Sequence, residues 1–328
     1  MKAMLCKEYG PPESLVLEDI EAPALGDNDV RIDVYAAGVN FPDVLIIQGK
    51  YQFKPPFPFA PGCECSGVVN EVGAKVTHLK PGDRVLATTG HGAFAEQVVV
   101  PAHKAFAIPD GMDFKTAAGI VLTYGTTAHA LIQRGKLQAG ETLLVHGCTG
   151  GVGLSAVEMG KAMGATVIGT GGSDEKLKVA LEHGADHVIN YSDGPFKDKV
   201  KELTGGKGAD VIYDPVGGDV FDQSLRCINW EGRLLVIGFA SGRIPEAPAN
   251  LALLKSCDIV GVFWGAWTER EPERNAANIR RVLDWVQQGQ FTPHVSHTFP
   301  LERAGDALYA LINREVIGKA VVMVRDQA

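Results

Sequence analysis

From residue 29 onward, apolar and polar positions first alternate in short runs. Val30, Ile32 and Val34 alternate with Arg31, Asp33 and Tyr35, the period-two pattern of a half-buried strand. Segments 67–73, 84–87 and 95–100 read as further strands, and Pro81-Gly82-Asp83 marks a turn between two of them. Short strands punctuated by Gly and Pro predict a small barrel or sandwich. The rhythm changes near residue 124. From Glu141 apolar strands alternate with helical segments, at 142–146, 166–169, 187–190, 210–213, 233–237 and 259–263. Six strands alternating with helices predict an α/β fold with a doubly wound parallel sheet. Ser173 stands at an N-cap position before Asp174 and Glu175, and Gly184 at the C′ position of the same helix. In the tail, Ala276, Ile279, Val282, Leu283 and Val286 follow helical spacing. A helix at about 301–313 and a strand at 320–324 follow. Since six strands complete the sheet, the tail is expected to return to the first domain. The expected domains are 1–123, 124–267 and a return over 268–328.

Glycine changes the picture. It makes up 39 of 328 residues, about 12% against a usual ~7%. Three glycines fall as G-x-x-G-x-x-G at Gly147, Gly150 and Gly153, between the apolar strand Leu143-Leu144-Val145 and a helical segment. Phosphate binding needs this order: a tight turn, close approach of backbone to pyrophosphate, and a helix N-terminus aimed at the charge. Thr149, Gly150, Gly151 and Val152 are the expected contacts, against the plainer reading of a structural glycine turn. An NAD site carries an acid at the end of the second strand for the ribose 2′-OH. Here that strand ends Ile168-Gly169-Thr170-Gly171-Gly172-Ser173, without a carboxylate. Ser173 and Lys176 stand where they would welcome a 2′-phosphate, although Lys176 also reads as a solvated helix lysine. The expected cofactor is NADPH.

The formal charge of −8 excludes a globally basic nucleic-acid binder, and 45% hydrophobic with 21% charged residues is an ordinary globular mix. No stretch is long and apolar enough to span a bilayer, and the start, Met1 to Glu8, has no signal-peptide pattern. The six cysteines form no C-x-x-C pair. Neither a disulfide framework nor a structural zinc lobe is indicated, and a cytoplasmic location is expected.

Six motifs then occur in order: Gly38-Val39-Asn40-Phe41-Pro42-Asp43, 58–67, Pro81-Gly82-Asp83-Arg84-Val85, 145–153, Gly184-Ala185-Asp186 and Gly318-Lys319-Ala320-Val321-Val322. Over essentially its full length the chain resembles the medium-chain dehydrogenase/reductase superfamily, and within it the zinc-free quinone oxidoreductases related to zeta-crystallin. The resemblance implies a GroES-like, mainly β catalytic domain closed by the tail, a Rossmann domain and a homodimer. Where zinc alcohol dehydrogenases of the superfamily place metal ligands, this chain has Asn40, Cys63 and Leu122-Thr123. One soft ligand does not make a zinc site, so no metal is expected. Cys63 and Cys65 read as small packing residues.

The resemblance also implies site residues. Tyr51 resembles the tyrosine that 2-enoyl thioester reductases use near this place, and is expected as a proton donor or orienting hydroxyl, against packing on Pro55 and Pro56. Asn40 is expected to touch the nicotinamide ribose or carboxamide, and Asp43 either joins the active site or caps the following helix. Thr127, Gly172, Tyr191, Phe239, Ala240, Ser241, Phe263, Trp264, Gly265 and Arg314 are the further expected cofactor contacts. Tyr191 would stack on adenine, Arg314 would reach the 2′-phosphate, and Phe263 with Trp264 would wall the cleft or form interface core. His146, just before the glycines, reads as a local hydrogen-bonding residue. Three readings of function follow. The first is a flavin-free NADPH:quinone reductase. The second is an NADPH-dependent reductase of activated C=C bonds. The third is an NADPH-binding structural or RNA-binding protein, which the charge of −8 disfavours.

Overall fold

The alternating segment around Val34 forms an 11-residue strand, Asp29–Val39, with Val30, Ile32 and Val34 fully buried in a computed structural model that describes residues 1–325. This strand organises the first of two compact units, which comprises Met1–Leu122 and the chain from Pro293 onward. Its sheet runs Val295–Pro300, Lys319–Met323, Asp29–Val39, Glu64–Val72, Arg84–Thr88, Ala105–Ala107, and Gln97–Pro101 pairs with the other half of Asp29–Val39. All these pairings are antiparallel except Val295–Pro300 with Lys319–Met323. Two registers matter for the site. Glu64 lies opposite Gly38, and Ala320 lies opposite Val39. They bring Glu64 and Lys319 to the end of the Asp29–Val39 strand from two sides. Gly38 is required there, because an added Cβ would sit 2.2 Å from the Ala118 carbonyl and 2.5 Å from Glu64 Oε1.

The second unit, Thr123–Thr292, holds a six-stranded parallel sheet. Its order is His187–Asn190, Thr166–Gly171, Thr142–Val145, Ala209–Asp214, Ile228–Val236, Asp258–Gly261. In chain order this is 3-2-1-4-5-6, the doubly wound Rossmann arrangement with its switch point beside the first strand. Leu143, Leu144, Val145, Val211, Ile212, Leu234 and Leu235 are all buried, as parallel strands covered on both faces demand.

The tail corrects the expected boundary at 268. Helix Pro272–Gln287 stays with the second unit, and the return begins at Pro293. The cause is its apolar face. Ile279 and Val282 are fully buried, and a Cβ on Gly125 would lie 3.2 Å from Ile279 Cδ1. Asn278 also exchanges two amide hydrogen bonds with Gln133, each 3.0 Å. Four strands escaped the sequence reading: Lys2–Leu5, Val16–Asp19, Ala105–Ala107 and Val295–Pro300. All are short, and the last is largely polar. No helix among the described residues is long and apolar enough to cross a membrane.

Candidate active site

The strand Thr142–Val145 runs through His146 into Gly147, whose φ of +55° needs no Cβ. Gly150 is the N-cap of helix Gly151–Ala162 and brings no side chain to cover the first-turn N–H groups. A Cβ on Gly153 would lie 2.1 Å from the Gly147 carbonyl, so only glycine lets the helix sit on its own loop. A Cβ on Gly150 would meet nothing closer than that carbonyl at 3.5 Å, so the space before the helix is open. Thr149, Gly150, Gly151 and Val152 thus line a half-buried turn at a helix N-terminus, in which the Gly150 N–H closes on Gly147 O at 3.0 Å.

At the next strand end, the Tyr191 ring covers Gly172, with Cε2 3.1 Å from where a Cβ would stand. Ser173 occupies the N-cap position of helix Asp174–Glu182, but its side chain makes no cap hydrogen bond, contrary to expectation. The adjoining carboxylate, Asp174, accepts from Asn190 Nδ2 at 2.9 Å. Lys176 lies half-buried on the first turn. After the fifth strand, Phe239, Ala240 and Ser241 fold back on the 215–218 loop, with Ala240 N–H donating to Pro215 O and Ser241 N–H to Val216 O. Phe263 and Gly265 are exposed.

Two expected cofactor contacts in this unit turn inward instead. Trp264 is buried, donates from Nε1 to Asn275 Oδ1 at 3.0 Å, and packs its ring over Gly125. It is core, not a cleft wall. The Thr127 hydroxyl is fully buried, 2.7 Å from Ser155 Oγ and 3.0 Å from the Tyr213 hydroxyl. It pins its helix to the glycine-loop helix and to strand Ala209–Asp214. Arg314 belongs to the first unit, in a left-handed turn (φ +58°) after helix Ala304–Ile312.

In the first unit, Asn40 caps helix Phe41–Ile47. Its amide is also wholly engaged: Nδ2 donates to Glu64 Oε1 (2.8 Å) and Gly38 O (3.3 Å), and Oδ1 accepts from Lys319 Nζ (2.6 Å). With its side chain buried and committed, Asn40 positions the loop and has no group left for a nicotinamide. Asp43 is fully buried. Its Oδ2 accepts from Asn40 N–H (2.8 Å), and its Oδ1 from Gly62 N–H (3.2 Å) and the Cys63 thiol (2.8 Å). It therefore both caps the helix and clamps the helix to the 62–63 segment. Burial pushes its carboxyl up to about 6, against the pull of these donors and the Lys319 charge. Burial, then Asp43, hold the Cys63 thiol well above its usual range, so Cys63 is a hydrogen-bond donor rather than a plain packing residue. Tyr51 is partly buried against the first unit's core. Burial first, then the nearby Cys63 and Asp43, raise its phenol, so it stays protonated at neutral pH.

Glu64 and Lys319 were missed as site residues. Lys319 Nζ donates to Glu64 Oε1 (2.8 Å), Asn40 Oδ1 (2.6 Å) and Val39 O (3.0 Å), using all three ammonium protons. The other Glu64 oxygen accepts from Leu122 N–H at 2.9 Å. The only sequence signal was an ionisable residue inside each of two otherwise apolar or small-residue motifs. The positions where the resemblance places metal ligands do not fit a zinc ion: Asn40 is saturated, the Cys63 thiol faces Asp43, and Leu122 offers only backbone. Among the described residues no group of three or more His, Cys, Asp or Glu is arranged to hold a metal.

A Rossmann unit with a glycine-rich turn, together with a mainly β unit that carries Asn40, Asp43 and Tyr51, defines a medium-chain dehydrogenase/reductase. Comparisons with known proteins agree. The alcohol dehydrogenase GroES-like domain model matches residues 26–110, and the zinc-binding dehydrogenase model matches 151–284. The chain is 42% identical over 325 residues to quinone oxidoreductase-like protein 2 homolog of Nematostella vectensis, covering 98% of this chain and 88% of that protein. It is 34% identical to human quinone oxidoreductase over 327 residues, covering 99% and 98%. Escherichia coli quinone oxidoreductase, solved in complex with NADPH, superposes with a TM-score of 0.91 at 29% identity, covering 99% and 100%. The chain belongs to the quinone oxidoreductase family of that superfamily and is an oxidoreductase.

Proposed function

We propose that this chain is an NADPH-dependent quinone reductase that works without zinc or flavin, passing hydride to a quinone or a similar electron-poor acceptor. The observation that carries this reading is an open phosphate cradle at Gly147–Gly153 whose neighbouring strand end, Gly171-Gly172-Ser173, bears no acid. The NADPH-bound Escherichia coli relative supports it. When bound, the dinucleotide supplies the hydride. Thr149, Gly150, Gly151 and Val152 would hold the pyrophosphate, Ser173 and Lys176 the 2′-phosphate, and Tyr191 the adenine. Phe239, Ala240, Ser241, Phe263 and Gly265 would border the rest. The reduced acceptor needs a proton on oxygen, and the Tyr51 phenol is its donor. Asn40 and Asp43 hold the loop that carries Tyr51.

The test is NADPH oxidation by metal-stripped protein, with a simple quinone and a 2-enoyl-CoA as rival acceptors. Quinone-dependent turnover supports the reading, and turnover with the enoyl-CoA alone overturns it. Cofactor choice has its own check. Lys176→Glu should lower kcat/KM for NADPH by about tenfold, one charge-assisted contact, while leaving NADH turnover within twofold.

A homodimer is part of the same proposal. Strand Asp258–Gly261 is an unpaired sheet edge, and Leu253 and Leu254 beside it are 79% and 68% exposed. A second copy pairing edge to edge would cover both. Light scattering should show a dimer that the double variant Leu253→Glu/Leu254→Glu converts to monomer.

A further inference from the structure

The first unit carries a run of contacting aromatic rings that leads from its core at Phe59 out to the surface. Phe53 is 50% exposed and Phe57 42%. The Phe53 ring stacks on His91, with centroids 5.8 Å apart and planes 19° from parallel. His91 in turn meets the edge of buried Phe59 at 6.1 Å, and Phe59 stacks on Phe57 at 5.6 Å. The shelf is anchored to the candidate site. Thr89 donates its N–H to Cys63 O (2.9 Å) and its hydroxyl to Gly62 O (2.7 Å), and Gly92 N–H donates to Ala60 O (2.8 Å). His91 is therefore held against the segment that carries Cys63. Phe53 follows Tyr51 by two residues, which keeps their Cα atoms within ~7 Å of each other. Burial lowers the His91 pKa, so at neutral pH its ring is a flat, uncharged stacking partner.

We propose that the Phe53–His91 stack is a specificity-determining shelf that selects acceptors with a second fused ring, bicyclic quinones over monocyclic ones. This rests on the quinone-reductase reading. A reacting ring beside Tyr51 would extend its fused neighbour over the open face of Phe53. Offset stacking at 4.5–7 Å centroid spacing is the favoured aromatic geometry. A single ring would lack this second stacking contact.

The experiment compares duroquinone, one ring, with menadione, two fused rings, as acceptors for the NADPH-loaded enzyme and for Phe53→Ala, Phe53→Tyr and His91→Ala. Phe53→Ala should raise KM for menadione by about tenfold, with kcat and the duroquinone constants within twofold of wild type. Phe53→Tyr should keep menadione binding, and His91→Ala should lose part of it. Equal losses on both quinones, or none on either, would overturn the shelf while leaving quinone reduction intact. Calorimetric titration of menadione into the NADP⁺-bound protein separates the two claims. Phe53-dependent binding without turnover would uphold the shelf and overturn the reductase reading.

Discussion

Replacing Lys319 by Met should destabilise the protein by about 3–5 kcal/mol, the cost of leaving a buried charge without its partner. Lys319 and Glu64 side chains are 4% and 0% exposed, so water cannot replace the lost ammonium. The variant strands Glu64 Oε1 with only the Asn40 amide, and leaves Asn40 Oδ1 and the Val39 carbonyl without their donor. The effect should reach the candidate site, because Glu64 also anchors Leu122 N–H and Asn40 holds the loop before helix Phe41–Ile47. Removing both charges in Glu64→Met/Lys319→Met should recover part of the loss, since two apolar side chains avoid an unpaired ion. Urea unfolding of the three proteins at pH 7 checks this. A single-variant loss below about 1 kcal/mol would mean the pair contributes no more than a surface ion pair.

Acid should expose a second buried group. His146 is fully buried between three elements, with Nδ1 2.8 Å from Thr170 Oγ1 and Nε2 2.8 Å from Ser224 Oγ. Ser224 donates its own proton to Val220 O, so its oxygen accepts from Nε2–H and the Thr170 hydroxyl donates to a bare Nδ1. This neutral tautomer satisfies both ring nitrogens. Burial holds the folded-state pKa down to about 3, against 6.5 for a free imidazole. Because the unfolded chain binds this proton first, stability is complete above pH 6.5 and falls as the pH drops toward 3. The full loss is about 5 kcal/mol at 1.36 kcal/mol per pH unit. His146→Gln should be less stable than wild type at pH 7 but lose less stability between pH 6.5 and 3. Parallel stability curves for the two proteins would show that another group governs the acid transition.

Legibility followed the distance over which each feature is encoded. Val30, Ile32 and Val34 announced their strand because side chains of one strand face alternate sides, whatever the strand pairs with. The glycine cradle was legible because Gly147, Gly150 and Gly153 act on one another within seven residues. The absence of an acid at 171–173 was equally local. The boundary at 268 was misplaced because helical spacing shows that Ile279 and Val282 form a face, but not which unit receives it. Asn40, Thr127 and Trp264 were each assigned outward from position alone, yet their polar atoms are taken up by Lys319, Ser155, Tyr213 and Asn275.

The sequence by itself determined the two kinds of sheet, the place of the glycine-rich turn and the family. All of these depend on short-range patterns of residue type. Only the tertiary structure decided the polar centre of the first unit. Lys319 meets Asn40 and Glu64 across 279 and 255 residues because the Ala320–Val39 and Glu64–Gly38 registers bring three strand ends together. A buried charge needs a partner in space, and spacing along the chain does not say which residue that will be.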